Sequence, residues 1–245
     1  MSRPNELLVD GYISRAFNPR SAEEYFSHLL KTNNWPELIS SSPSGSGVVF
    51  FIRGASRPLR LPPSMVRNGV PVWLLDYTIE HIGTVVPQTL WAPHNRNDFK
   101  QHVEDAELQL PIFFIHGNGS LGLSLDDAAN GRCRTLRDAN AHSQLGGKTT
   151  LHIRISWPGY QDFKRQVQIR DETAAHNPIT VARFAQHVGR SVDAFLGTIS
   201  KENSSDPRWE IGRSGVNRAN IRVIGAVHVS AGSWMPILQL NSYVI

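Results

Sequence analysis

Two neighbouring segments in the second half of the chain alternate between apolar and polar residues, and together they predict a β-hairpin. Residues 151–157 place apolar side chains at every second position, which is the period of a strand with one buried face. Residues 163–170 repeat this alternation, with Phe163, Val167 and Ile169 on the apolar side. If residues 158–162 form the loop, Ile153 lies opposite Val167 and the two apolar faces coincide. In this register the polar face has three cross-strand pairs, with Arg170 at its end: Arg154 with Gln166, Ser156 with Lys164, and His152 with Gln168.

The spacing of apolar residues changes after residue 178 to that of an amphipathic helix. Over residues 181–199 they recur every three or four positions, and Thr180 stands before them as an N-cap. Residues 221–229 predict a strand that is buried on both faces, and residues 235–240 a last strand in which Pro236 suits the start or an edge. Hairpin, helix and further strands follow one another in the order of the ubiquitin-like β-grasp fold. We therefore expect an α+β protein with mixed β-sheets, few helices and a β-grasp-like domain over residues 146–245.

The first half, residues 1–145, predicts a separate α+β region that is rich in strands. A capping box at residues 21–24 indicates a short helix, and residues 48–53 and 70–77 read as strands. Residues 40–47 are typical of a flexible loop, and residues 98–108 predict a surface helix. Residues 110–125 predict a hairpin around Asn118 and Gly119, because an Asn-Gly pair supplies the positive φ values of a tight turn. The polar residues 128–147 mark the expected domain boundary or a long surface excursion, and residues 209–211 a brief strand.

Charge changes this picture only in the second half of the chain. Residues 1–150 hold 14 basic and 14 acidic residues, whereas residues 151–245 hold 11 basic and 7 acidic ones. This excess permits an acidic partner, but it is weaker than the basic stripe of a dedicated nucleic-acid binder. No apolar run approaches the roughly 18 residues of a membrane span, and the N-terminus has no signal-peptide core. We expect an intracellular protein, cytoplasmic or nuclear, without a membrane partner.

Several motifs resemble chemical sites without completing them. Residues 117–122 match G-x-G-x-x-G, but a dinucleotide site needs a helix at the last glycine, and the residues that follow alternate like a strand. Lys148 follows two glycines as in a phosphate-binding loop, yet a strand pattern succeeds it. Cys133 is the single cysteine, and the histidines lack the spacing of metal ligands. The sequence thus identifies no catalytic residue, no metal site and no cofactor.

Segments spread over residues 110–245 resemble a group of uncharacterised intracellular proteins of mushroom-forming fungi (Agaricomycetes). These segments are LPIFF and LGL, which begin at Leu110 and Leu121, then ISWPGY and QVQIRD, PIT at residues 178–180, and the run of residues 227–240. The group carries no established activity, so the resemblance transfers no catalytic residue. It implies an origin and a cellular setting.

The leading hypothesis is a non-catalytic interaction protein whose β-grasp-like domain binds another macromolecule, with an acidic protein as the expected partner and nucleic acid as the alternative. An enzyme with a site at the junction of the two halves is the second hypothesis. The alternative for the polar hairpin face is a solvated sheet surface, and for the tryptophan in SAGSWMP a place in the core instead of an exposed turn at an interface. The candidate binding residues are Arg154, Lys164, Gln166, Arg170 and Trp234.

Overall fold

The centre of the molecule is a mixed sheet of six strands with helices on both faces. The computed structural model describes residues 11–32, 38–41, 49–52, 75–77, 79, 83–212 and 215–241. Over these residues the α+β class predicted from the sequence is confirmed.

Two consecutive helices open the described part of the chain, α1 (Tyr12–Phe17) and α2 (Pro19–Thr32). They meet at Asn18, whose φ of 61° turns the chain between them. The Asn18 side chain accepts a hydrogen bond from the Ser21 amide at 3.0 Å, and Pro19 suits the first position of a helix. The helix predicted from the capping box therefore exists, but it begins before that box.

Strands β1 (Leu38–Ser41) and β2 (Val49–Ile52) form a small antiparallel sheet of their own. β2 confirms the strand predicted over residues 48–53. Ser40 and Ser41 lie in β1, so the loop predicted over residues 40–47 is wrong at its start, and its remainder lies outside the described residues. The strand predicted over residues 70–77 is likewise described only from Leu75 to Tyr77, where the backbone is not a strand.

The middle of the chain forms short elements. Helix α3 (Arg96–Phe99) continues into a π-helical turn, Lys100–Glu104, and confirms part of the predicted surface helix. Strand β3 (Ile112–Phe113) leads to the predicted tight turn, where Gly119 has a φ of 92° and Ile115 bridges Leu121. The predicted hairpin is confirmed as far as Gly122, whose amide donates to the Phe114 carbonyl at 2.8 Å, but its second strand does not continue to residue 125 as predicted.

What replaces that strand is a short strand and a helix, β4 (Leu123–Ser124) and α4 (Leu125–Ala129). The Ser124 hydroxyl accepts a hydrogen bond from the Asp127 amide at 3.0 Å and so caps α4. β4 pairs with a distant strand of the large sheet instead of with β3.

The second half supplies β5 (Thr150–Ile155), β6 (Phe163–Gln168), the long helix α5 (Val181–Ile199), β7 (Ile221–Ser230) and β8 (Ser233–Leu240). The predicted hairpin, the helix with its Thr180 cap and both last strands are confirmed. The large sheet runs β3-β7-β8-β5-β6, and β4 also pairs with β7. Among the strands that the structure describes, β5 and β8 are the one parallel pair. This order is compatible with a β-grasp domain, which stays a prediction.

Three details of the second half differ from expectation. Residues 209–211 form no strand; Trp209 instead ends a 3₁₀ turn, Pro207–Trp209. Pro236 lies inside β8, past the two residues of β8 that pair with β5. Residues 128 and 129 end α4, and residues 130–147 are irregular as predicted, but they send buried side chains into the core beneath α5: Cys133, Leu136, Ala139 and Leu145.

The hairpin register is shifted by two residues from the predicted one. Ile155 pairs with Phe163, Leu151 with Val167, and Arg154 with Lys164. The shift arises because Trp157 leaves the strand: its ring enters the core, and its Nε1–H donates to the Trp209 carbonyl at 3.0 Å. A shift of two residues keeps every side chain on its face, so the predicted apolar and polar faces hold.

Each face of the sheet has its own core. α5 covers one face, where its apolar side meets β5 to β8, and α1 and α2 pack over β7 and β8 on the other. β3 and β4 belong to the same sheet as β5 to β8, although they precede the expected boundary between residues 145 and 146. That boundary stays a prediction.

Candidate functional site

The polar side of the β5–β6 hairpin lies beside the layer formed by α1 and α2. We call it the hairpin face, and it consists of His152, Arg154, Lys164, Gln166 and Gln168. The last three of these residues are exposed, and the first two are half-buried. Arg154 and Lys164 stand directly opposite each other in the register. Like charges at opposed positions of an antiparallel pair destabilise it. The opposed pair Arg154 and Lys164 therefore lowers the stability of the hairpin.

Arg154 is held in place on this face by two contacts. The carbon of its guanidinium lies 3.7 Å from the ring centroid of Trp91, which is a cation–π arrangement. Its Nε donates a hydrogen bond to the Ser233 hydroxyl at 2.8 Å. These contacts give the Arg154 guanidinium one fixed orientation, whereas the opposing, exposed Lys164 is a flexible point charge.

A pocket of about 100 Å³ opens between Trp91 and the hairpin. Its polar lining comes from Arg154, Ser156, Asp162 and Lys164. Sites for small organic ligands usually measure roughly 300–1,000 Å³, so this pocket has room for a single small group, and Ile155, Phe163 and Met235 supply apolar lining beside the polar residues. It does not resemble the deep polar cleft expected of an enzyme at the junction of two halves.

The electrostatic field of the hairpin face is positive. Burial lowers the pKa of His152 from its ordinary value, and the nearby charges of Arg154, Lys164 and Lys148 lower it further. Burial also lowers the pKa of Arg154, which Asp162 partly offsets. An approaching carboxylate would meet three cations, Arg154, Lys164 and Lys148, and one acidic group, Asp162.

The structure brings together three of the five predicted binding residues. Arg154, Lys164 and Gln166 share the hairpin face. Arg170 is engaged elsewhere: its Nε donates to the Lys148 carbonyl at 3.1 Å and its Nη2 to the Gly146 carbonyl at 2.7 Å, so it fastens the start of β5.

Trp234 is not exposed, and the prediction that placed it in a surface turn was wrong. It lies within β8 and is fully buried, with its ring 4.9 Å from His228 and 5.3 Å from Phe184. The turn before it is made by Ala231 and Gly232 alone, because strand pairing resumes at Ser233. Its burial confirms the alternative, a place in the core.

Sequence reasoning missed Trp91 and Ser233, which fix Arg154. Trp91 lies in a stretch without regular structure, and no periodic pattern marks it. Ser233 reaches the hairpin only through the parallel pairing of β8 with β5. On the opposite face of the sheet, Arg183 and Arg190 of α5 lie near Arg165 of β6. The sequence does indicate that these two arginines share one side of the helix, since they stand seven residues apart.

The other motifs have structural roles. Residues 117–122 form the turn after β3, and the helix that follows is only five residues long. Its Asp126 pairs with Arg132 and Arg218, and these pairs lower the pKa of that carboxyl. Lys148 precedes strand β5 and not a helix. Within the described residues, no three His, Cys, Asp or Glu side chains gather as metal ligands would.

Comparisons of the chain with protein-family models, with curated proteins and with solved structures found no match. Kinship with the fungal proteins therefore stays a prediction. In the part of the chain that the structure describes, no helix has the length and apolar character needed to cross a bilayer.

Proposed function

We propose that this is a non-catalytic interaction protein that binds an acidic segment of another protein on its hairpin face. The observation that carries the proposal is the opposed pair Arg154 and Lys164, in which Arg154 is fixed by Trp91 and Ser233. A carboxylate placed between the two cations is attracted by both and offsets their mutual repulsion. Charge-assisted hydrogen bonds to Arg154 then add direction to the contact.

A solvated sheet surface explains the exposed Lys164 and Gln166 equally well, but not Arg154. A merely solvated arginine extends into water, whereas this one is half-buried, stacked on an aromatic ring and bonded to a hydroxyl. Ordering that side chain costs conformational entropy, which a ligand then need not overcome. Fixed donors beside a small pocket are a feature of a binding surface.

The same geometry favours a protein partner over nucleic acid. The pocket admits one anionic group, and Asp162 at its lining repels a second one nearby. A nucleic-acid backbone presents a charge at every phosphate and is met by a longer basic stripe. An acidic protein segment instead places single carboxylates at side-chain spacing.

We expect Lys164→Gln and Arg154→Gln each to weaken the binding of an acidic peptide by about tenfold or more, because a hydrogen bond to a charged group contributes about 1.5–3 kcal/mol. The probe is a fluorescein-labelled, end-capped octapeptide of alternating Glu and Val, titrated by fluorescence anisotropy at low salt. Arg20→Gln is the matched control, since it removes the same charge from a side chain that is 89% exposed on α2. It should change the affinity less than about twofold, because Arg20 is a solvent-exposed charge that forms a surface ion pair with Glu24 on its own helix.

Thermal melting followed by circular dichroism establishes that each variant is folded. Equal affinity of the wild type and both hairpin variants would contradict the proposal. So would tight binding of a DNA or RNA duplex with a steep salt dependence and none of the peptide, which would make nucleic acid the partner.

A further inference from the structure

We infer that the acidic segment binds as an additional β-strand along the outer edge of β6; this inference rests on the proposed function and specifies how the segment is held. β6 stands last in the strand order, and among the described strands it pairs with β5 alone. Its six residues, Phe163–Gln168, set the length of the segment that it takes.

The register shows which backbone groups of β6 point outward. The His152 amide donates to the Gly232 carbonyl at 2.8 Å, on the side of β5 away from β6. Because His152 stands opposite Gln166, these two residues form a pair without mutual hydrogen bonds, and the Gln166 N–H and C=O point away from β5. The same holds two residues away on either side, at Lys164 and Gln168. Three N–H and three C=O groups therefore line the edge.

Basic residues flank this edge on both faces of the sheet. Arg154 and Lys164 lie on the hairpin face. On the other face, the Arg165 Nη1 donates to the Arg190 carbonyl of α5 at 2.8 Å. Burial lowers the pKa of His187 to about 4, with further lowering from Arg183, Arg190 and Arg165, so these cations also cluster there. Side chains of an added strand alternate between the two faces, and on either face a carboxylate meets a cation.

The charge of the edge also selects its occupant. Charged side chains on an edge strand oppose pairing with another copy of the same strand, here because Lys164 and Arg165 of one copy would approach the same two cations of the other. Strand addition uses backbone hydrogen bonds for affinity and alternate side chains for selectivity. An extended segment with acidic side chains offers both backbone hydrogen bonds and side chains of opposite charge. A second copy of β6 offers only the backbone hydrogen bonds.

Proline at position 166 tests the inference, since the Gln166 N–H points outward and proline removes no hydrogen bond to β5. Gln166→Ala is the matched control, because it loses the same side chain and keeps the N–H. With the Glu-Val octapeptide as the probe, we expect Gln166→Pro to bind about tenfold more weakly than Gln166→Ala, as for the loss of about 1.4 kcal/mol. An uncharged Gln-Val octapeptide should bind weakly to the wild type and to both variants.

Amide hydrogen exchange followed by NMR gives a second readout on the wild-type protein, which no folding defect can disturb. The amides of Lys164, Gln166 and Gln168 should exchange fast in the free protein and slowly with the peptide bound. The amides of Arg165 and Val167, which point to β5, should be protected in both states. Strand addition is overturned, and the proposed function stands, if the peptide leaves the outward-pointing amides in fast exchange and Gln166→Pro binds it like Gln166→Ala, while Lys164→Gln still weakens binding. If the peptide binds no protein at all, both fall.

Discussion

Replacing Phe184 by alanine is expected to lower the free energy of unfolding by about 3–5 kcal/mol, the range for truncating a fully buried aromatic side chain. Phe184 is wholly buried in α5. Its ring lies 6.3 Å from that of Phe114 and 5.3 Å from that of Trp234, edge-on to both. These contacts tie the helix to β8 and to the chain after β3. Without the ring, a cavity remains where these elements meet, because a packed core relaxes only partly.

Urea unfolding followed by tryptophan fluorescence and by circular dichroism measures this loss. Thr198→Ala is the control, since Thr198 is an exposed residue of the same helix whose hydroxyl bonds only to the Ala194 carbonyl. It should change the free energy of unfolding by no more than about 0.5 kcal/mol. A loss below about 1 kcal/mol for Phe184→Ala would show that α5 does not bury this face.

The elements that the sequence predicts well are those whose pattern is complete within one segment. α5 has a cap, an apolar stripe and a polar side within residues 180–199, and the structure confirms each of them. β5 and β6 alternate with a period of two, which defines their faces independently of the register. The register was predicted two residues away from the observed one, because it depends on the length of the connecting loop, which the alternation does not determine. Trp157 continues the alternation of β5 but belongs to the core beside Trp209, a contact between residues far apart in the sequence.

The first half was harder to predict, and its first helix shows why, because α1 is buried on more than one side. In α1 five of six residues are buried, so no stripe of apolar residues marks a helix. Its neighbour Asn18 adopts a positive φ, which favours glycine or asparagine and which no periodic pattern reveals.

The candidate site contains residues that a local sequence pattern predicts and contacts that only the folded structure creates. The polar alternation placed Arg154, Lys164 and Gln166 on one face, as the structure confirms. The register alone places Arg154 opposite Lys164. The contacts of Arg154 with Trp91 and Ser233 depend on pairing across the sheet. Trp234 was misplaced for the same reason, since its burial depends on α5 and β7 and not on its neighbours in the sequence.

The second large effect concerns a buried carboxyl group, Asp76. Its oxygens accept hydrogen bonds from the Ile13 amide at 3.1 and 3.3 Å and from the Tyr77 amide at 2.8 Å. Burial nevertheless raises its pKa to about 8, because desolvation of the charge outweighs the lowering by these amides. The buried Tyr25 hydroxyl nearby also has a raised pKa, from burial and from the Asp76 charge, and stays protonated. Asp76 is therefore mostly protonated at neutral pH.

The direction of the pH dependence follows from the shifts in pKa. A group whose pKa is higher in the folded state stabilises the fold at low pH, and this contribution is lost as pH rises through the folded value. For Asp76 the loss extends from about pH 4 to about pH 8. Burial lowers the pKa of both His187 and His228 to about 4, so their contributions grow with pH only up to about 6.5, the ordinary value of histidine. Between pH 6.5 and pH 8, therefore, these two histidines do not offset the loss of stability that Asp76 causes.

We therefore expect the free energy of unfolding to fall by about 1.6 kcal/mol from pH 6.5 to pH 8, since the slope is about 1.36 kcal/mol per pH unit while Asp76 is ionised in the unfolded chain and protonated in the folded protein, and it halves at the folded pKa. Asp76→Asn should remove this fall, because asparagine keeps the size of the side chain and cannot ionise. Urea unfolding at closely spaced pH values in one buffer series measures both slopes. Asp206→Asn is the control: its pair with Arg208 lowers the pKa of Asp206, so this carboxyl titrates below the window, and the variant should keep the wild-type slope. A wild-type curve that is flat from pH 6.5 to pH 8, or an equal fall in Asp76→Asn, would show that Asp76 is already ionised in the folded protein.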